Sequence, residues 1–149
     1  MIVALGTDHA GFLLKEPVSQ AIRAGGHRVL DCGAQEPIPA DDYPDYAQAV
    51  AQAVIERRAE RGVILCGSGV GASVAANKFR GIRAALCHDT FSARQGVEDD
   101  AMNVLCLGAR IIGPALAAEI VRVYLGAKFS EAERHKRRLA KIQDFERRP

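Results

Sequence analysis

Apolar residues in this chain fall into two kinds of stretch. Short continuous runs read as buried strands: Ile2–Gly6, His27–Asp31, Gly62–Leu65, Ile82–Cys87 and Asn103–Leu107. Between them, apolar residues recur at helical spacing. Phe12–Ala24 is one such stretch and stops at Gly25-Gly26. Tyr46–Arg58 is another, with Ala47, Val50, Ala51, Val54 and Ile55 on one face. Gly69–Phe79, a short Thr90–Gln95 and Pro114–Leu125 complete the alternation, with Pro114 suited to a first helical position. The stretch from Gly33 to Pro44 carries three prolines and reads as a loop. Ser130–Arg147 reads as a last, basic helix.

Strands alternating with helices predict an α/β fold, a five-stranded parallel sheet with helices on both faces and a C-terminal basic helix appended. No internal repeat or boundary divides residues 1–149, so one domain is expected. In such sheets the functional residues stand at the carboxyl ends of the strands. The candidates are Thr7-Asp8-His9-Ala10-Gly11, Cys66 to Gly71, His88-Asp89, Glu98-Asp99-Asp100 and Gly108-Ala109-Arg110, all expected on one rim. Asp8-His9 suits contacts to a hydroxyl or phosphate, and equally a helix cap beside a solvated imidazole. His88 reads as a capping or solvated residue.

One of these stretches carries most of the chemistry. Val63-Ile64-Leu65 runs into Cys66, then Gly67-Ser68-Gly69-Val70-Gly71, then a helix of small residues. This sets a thiol at a ring of backbone N–H donors, where anions settle. The same field is expected to lower the thiol pKa. A base beside an oxyanion pocket is what proton abstraction next to a carbonyl requires. The glycines also fit a loose dinucleotide pattern, with Asp89 about 20 residues on, so a nucleotide-binding module is the alternative.

Composition narrows the setting. The chain has 149 residues, and its net charge of +2 does not point to nucleic acid. No apolar run approaches the roughly 18 residues of a membrane span. The four cysteines form no CxxC pair, and Cys87 and Cys106 sit in strand-like runs as small hydrophobes. With no leader evident at the first strand, a cytoplasmic location is expected. Glu133-Arg134-His135-Lys136-Arg137-Arg138 is basic without aromatics, which argues against a nucleic-acid or membrane surface. Arg134 and Arg138, four apart, share a face and can clamp a phosphate.

Read together, Gly6-Thr7-Asp8-His9-Ala10-Gly11-Phe12, Asp42-Tyr43-Pro44-Asp45-Tyr46-Ala47, Cys66 to Gly71, Ala75-Ala76-Asn77-Lys78, Gly81-Ile82-Arg83-Ala84, Asn103-Val104-Leu105, Gly108-Ala109-Arg110 and Arg134-His135 with Arg138 form one ordered set. This set resembles the type B ribose-5-phosphate isomerases, in the sugar-phosphate isomerase family that includes the galactose-6-phosphate isomerase subunits. The resemblance implies a Rossmann-like three-layer sandwich. It implies aldose–ketose isomerisation through a cis-enediolate, with no metal and no cofactor. Cys66 matches the proton-shuttling base and Ser68 a position held by Ser or Thr. Gly67, Gly69, Val70 and Gly71 match the anion hole. Asp8, His9 and Tyr43 match sugar contacts, and Arg110, Arg134 and Arg138 match positions that hold the phosphate. The resemblance also implies a homodimer, or a tetramer built from it, with active sites shared between chains.

One position departs from that set. Pentose-phosphate members carry a histidine just before the fifth strand, assigned to opening the furanose ring. Here Asp99 stands there, followed by Asp100. An imidazole exchanges protons near neutrality, whereas an aspartate is normally ionised and only accepts. Asp99 as a ring-opening base, a substrate needing no ring opening such as a tetrose 4-phosphate, an altered or weakened isomerase, and a tolerated change with ribose 5-phosphate as substrate all remain open.

Overall fold

Side chains alternate between the two faces of a strand, and here both faces are buried. Val3 and Leu5, Val63 and Leu65, and Leu105 and Leu107 pack into one apolar layer with Leu14, Val18, Ile22, Val97, Ile120 and Tyr124. Ala4, Ile64 with Cys66, and Val104 with Cys106 face the other way, onto Ala47, Val50, Ala51, Ala72 and Ala76. Burial on both faces explains why the strands read as continuous apolar runs. The alanines of the second layer let its helices approach the sheet closely.

The computed structural model describes residues 1–147. Its strands are β1 (Ile2–Thr7), β2 (Arg28–Asp31), β3 (Arg61–Cys66), β4 (Ala84–Leu86) and β5 (Val104–Gly108), all parallel, in the order β2-β1-β3-β5-β4. The helices are α1 (Lys15–Ala24), entered through a 3₁₀ turn at Phe12–Leu14, then α2 (Tyr43–Ile55), α3 (Val70–Ala76), α4 (Thr90–Asp100), α5 (Pro114–Gly126) and α6 (Glu133–Phe145). The α/β class and the five-stranded parallel sheet follow the sequence reading.

Two boundaries differ in ways that matter. Helix α2 begins at Tyr43 rather than Tyr46 and takes Pro44 into its first turn, where a missing N–H costs nothing. Helix α4 continues through Gly96 to Asp100 instead of ending at Gln95. At about 1.5 Å per residue its eleven residues run back along the sheet for roughly 16 Å. It leaves the carboxyl end of β4 and delivers the chain to the amino end of β5. Asp99 and Asp100 therefore lie at the sheet edge opposite the rim expected for them.

The chain steps from β1 outward to β2, then returns to place β3 on the other side of β1. The carboxyl ends of β1 and β3 thus flank the topological switch point, where open parallel sheets bind ligands. Asp8 follows β1, and Cys66 ends β3.

Candidate active site

At the switch point the Cys66 Sγ–H donates to Asp8 Oδ2 at 3.2 Å. The other carboxylate oxygen of Asp8 accepts from the Gly11 N–H at 2.8 Å, so Asp8 caps its own turn while holding the thiol. The capping reading of Asp8 holds, and the same side chain reaches Cys66. Asp8 and Cys66 are only 4% and 8% exposed.

Local sequence shapes the turn after Cys66. Gly69 has φ +80° just before α3, and a Cβ there would lie 2.6 Å from Leu86 Cδ1 and 3.0 Å from the Leu107 carbonyl carbon. Only glycine fits that position without strain. The N–H groups of Gly67 and Gly69 both point at the Cys66 sulfur. The exposed Ser68 accepts the Val70 N–H on its Oγ at 3.3 Å, so that donor is occupied by a neighbour. Tyr43, the first residue of α2, lays its ring against Gly71, where a Cβ would stand 2.6 Å from the phenol Cζ.

The thiol pKa moves opposite to the expectation from the helix field. Burial pushes it up, and the hydrogen bond to Asp8 and that carboxylate's charge add to the rise. The Gly69 and Gly67 amides pull it down but are outweighed. The two amides that act on the sulfur belong to the turn before α3 rather than to the helix, while an anion at hydrogen-bond distance acts directly on the sulfur.

The end of β5 closes the other side. Ala109 N–H donates to the Cys66 carbonyl at 2.9 Å and Arg110 N–H to the Gly67 carbonyl at 3.0 Å. The Arg110 guanidinium consequently lies beside Gly67, where a Cβ would be 3.4 Å from Nε. His88 Nε2 accepts the Gly108 N–H at 2.9 Å, the capping role expected for it.

Three residues go together that the sequence did not associate. His9 Nδ1 lies 2.5 Å from Asp41 Oδ1, and the same carboxylate accepts the His9 backbone N–H at 2.9 and 3.2 Å. The Tyr46 hydroxyl, from the first turn of α2, also donates to Asp41. Burial disfavours the Asp41 carboxylate, but these hydrogen bonds outweigh it and hold its pKa below the ordinary range. The contact spans 32 positions, and the only sequence signal is an Asp41-Asp42 pair in a proline-rich loop.

The remaining expected residues lie elsewhere in the chain. Asp99 accepts from Gln95 Nε2 at 3.2 Å and faces the buried His135 Nδ1 at 3.4 Å; His135 also meets Ser130 Oγ at 2.6 Å. Exposed Asp100 lines a groove of about 470 Å³ with Met102, Ile142 and Phe145. Helix α6 is fixed along this edge by His135 at one end and by Glu146, which accepts the Gly81 N–H, at the other. Arg134 and Arg138 are exposed on it and form no ion pair among the described residues. Among the described residues no three His, Cys, Asp or Glu side chains are grouped as a metal site requires.

The switch point thus gathers a thiol, a carboxylate and backbone amides, with arginine nearby. Known proteins carry the same arrangement of chain. The Ribose/Galactose Isomerase family matches residues 3–142. Ribose-5-phosphate isomerase B of Escherichia coli is 41% identical over 146 residues, 98% of this chain and 97% of that protein. D-erythrulose-4-phosphate isomerase of Pectobacterium atrosepticum is 40% identical over 127 residues, 85% of this chain and 84% of that protein. The crystal structure of ribose-5-phosphate isomerase B from Mycoplasma genitalium with bound ribulose-5-phosphate superposes with a TM-score of 0.93 at 35% identity, covering 99% of this chain and 97% of that one. The chain belongs to the ribose/galactose isomerase family, and it is a sugar-phosphate isomerase.

Proposed function

We propose that this enzyme interconverts ribose 5-phosphate and ribulose 5-phosphate through a cis-enediolate. The carrying observation is the Cys66 sulfur at the switch point, hydrogen-bonded to Asp8 and faced by the Gly67 and Gly69 amides. Cys66 removes the proton from the carbon beside the carbonyl and returns it to the neighbouring carbon. The backbone N–H groups from Gly67 to Gly71, apart from that of Val70, hold the developing oxyanion; one such donor is typically worth roughly 10²–10³ in rate. A sugar hydroxyl that donates to Asp8 in place of the thiol removes one influence that keeps the sulfur protonated. Substrate binding thereby prepares the base. Ser68, His9 and Tyr43 line the bound sugar phosphate, and Arg110 meets its phosphate.

The site is completed by a second copy of the chain. Asp99, Asp100, Arg134 and Arg138 lie on the far edge of their own sheet, so they serve the Cys66 turn of a partner. Exposed Val70, Val74, Phe91 and Ile111 around the turn supply an apolar surface for that partner. A homodimer, or a tetramer of two such pairs, is the assembly this reading requires. Four free cysteines suit a reducing cytoplasm.

A second reading concerns the sugar. Asp99 stands where a ring-opening histidine is expected, and one relative is named for D-erythrulose 4-phosphate. An aldotetrose 4-phosphate has its ring-forming hydroxyl blocked and needs no ring opening. Turnover of ribose 5-phosphate and erythrose 4-phosphate by wild type and Asp99→His separates the two. Fast pentose turnover without gain from histidine supports ribose 5-phosphate. Fast tetrose turnover, with pentose activity gained only on Asp99→His, supports the tetrose.

A further inference from the structure

The Asp41 carboxylate does two things to His9 at once: it accepts the backbone N–H and it takes the ring Nδ1. Its side chain is 10% exposed, against 31% for the imidazole. Tyr46 donates to the same carboxylate from α2, so Asp41 is itself fixed from a second element. With Nδ1 directed into the protein, Nε2 is the ring nitrogen left for a ligand, and it makes no hydrogen bond among the described residues. His9 precedes Ala10, which packs against Gly67, and the Arg110 guanidinium lies against the same glycine. His9, one residue before Ala10, and the Arg110 guanidinium are thus both tied to the Gly67 turn.

Two donors of this kind suit an anion. A ring whose Nδ1 is bonded to an ionised carboxylate offers Nε2–H as a charge-assisted donor. The permanent anion of a sugar phosphate is its phosphate. We infer that Asp41, held by Tyr46, is a positioning residue of this enzyme: it fixes the His9 imidazole so that Nε2–H is presented with Arg110 to the substrate phosphate. This rests on the sugar-phosphate reading of the site, and it assigns a role to a loop residue that touches no substrate.

Among the described residues, Asp41 is the group hydrogen-bonded to the ring nitrogen.

The test is calorimetric titration of inorganic phosphate into the purified enzyme, with kcat and KM on the sugar phosphate measured alongside. Asp41→Asn keeps the shape and an acceptor for the His9 N–H. It should weaken phosphate binding by roughly tenfold, the loss of about one charge-assisted hydrogen bond. KM should rise with kcat largely kept. In a His9→Gln background, Asp41→Asn should cause little further loss. Tyr46→Phe should give the same pattern more weakly. Unchanged phosphate binding in Asp41→Asn overturns the inference. So does an equal loss with and without His9, which would mark a purely structural role. A fall in kcat with KM kept also overturns it, because His9 would then act at the reacting carbons. A wild type that binds phosphate but turns over no sugar phosphate contradicts the proposed reaction while leaving this inference standing.

Discussion

Cys66 and Asp8 come from strand ends 58 positions apart in sequence and meet at 3.2 Å, with the thiol donating to the carboxylate. As folded, the carboxylate stabilises the thiol rather than the thiolate. In the proposed mechanism, the pair therefore sets when the sulfur can act as a base.

Replacing Asp8 with Asn should release that hold. Asn still accepts the Gly11 N–H and offers an N–H to the sulfur. The rate of Cys66 alkylation by iodoacetamide, followed by peptide mass spectrometry, should rise at lower pH in Asp8→Asn than in wild type. A profile unmoved by the substitution would mean that burial alone raises the thiol.

Alkaline pH should weaken the fold. Burial pushes the Cys66, Cys87 and Cys106 thiols up, Cys87 to about 11. An unfolded thiol titrates near about 8.5. Above that value the folded chain keeps protons that the unfolded chain has lost, so stability falls as pH rises, through about 11 for Cys87. The urea midpoint should drop between about pH 8 and about pH 10, and drop less in Cys87→Ala. Equal drops in both proteins would remove Cys87 from the explanation.

Gly69→Ala should disable the turn. The left-handed backbone costs a non-glycine residue about 1–2 kcal/mol. The added Cβ would also press on the Leu107 backbone at 3.0 Å. A lower melting temperature and a fall in kcat larger than that caused by Ser68→Ala are expected. Activity near wild type would show that the amides from Gly67 to Gly71 need not hold this geometry.

Shared sites predict complementation. Cys66→Ala and Arg138→Ala should each be poorly active, one lacking the base and the other a phosphate contact. Unfolded and refolded together in equal amounts, they should recover about a quarter of wild-type activity. Half of the dimers are then mixed, and each holds one intact site. No recovery would contradict a site that takes Cys66 from one chain and Arg138 from the other.

Much of the architecture was legible because its signals are local. The apolar runs of β1, β3 and β5 and the glycines after Cys66 each declare themselves within a few residues. Helix α4 did not: the sequence reading ends it at Gln95, while the fold carries it through Gly96 to Asp100. That one boundary decided which edge of the sheet Asp99 occupies. The rise in the Cys66 thiol and the Asp41–His9 pair were also hidden. Each depends on a partner distant in sequence, and nothing near Cys66 or His9 indicates it.

The central claim is that Cys66 is the base that moves the proton between sugar carbons. Cys66→Ser keeps the size and a hydrogen-bond donor for Asp8 but lacks an accessible anion. The decisive measurement is its kcat on ribose 5-phosphate and on erythrose 4-phosphate beside wild type, with melting temperatures compared. A fall of roughly 10²–10⁴ on whichever sugar wild type turns over, in a protein that melts like wild type, is the expected result. Retention of most of the activity would contradict the assignment.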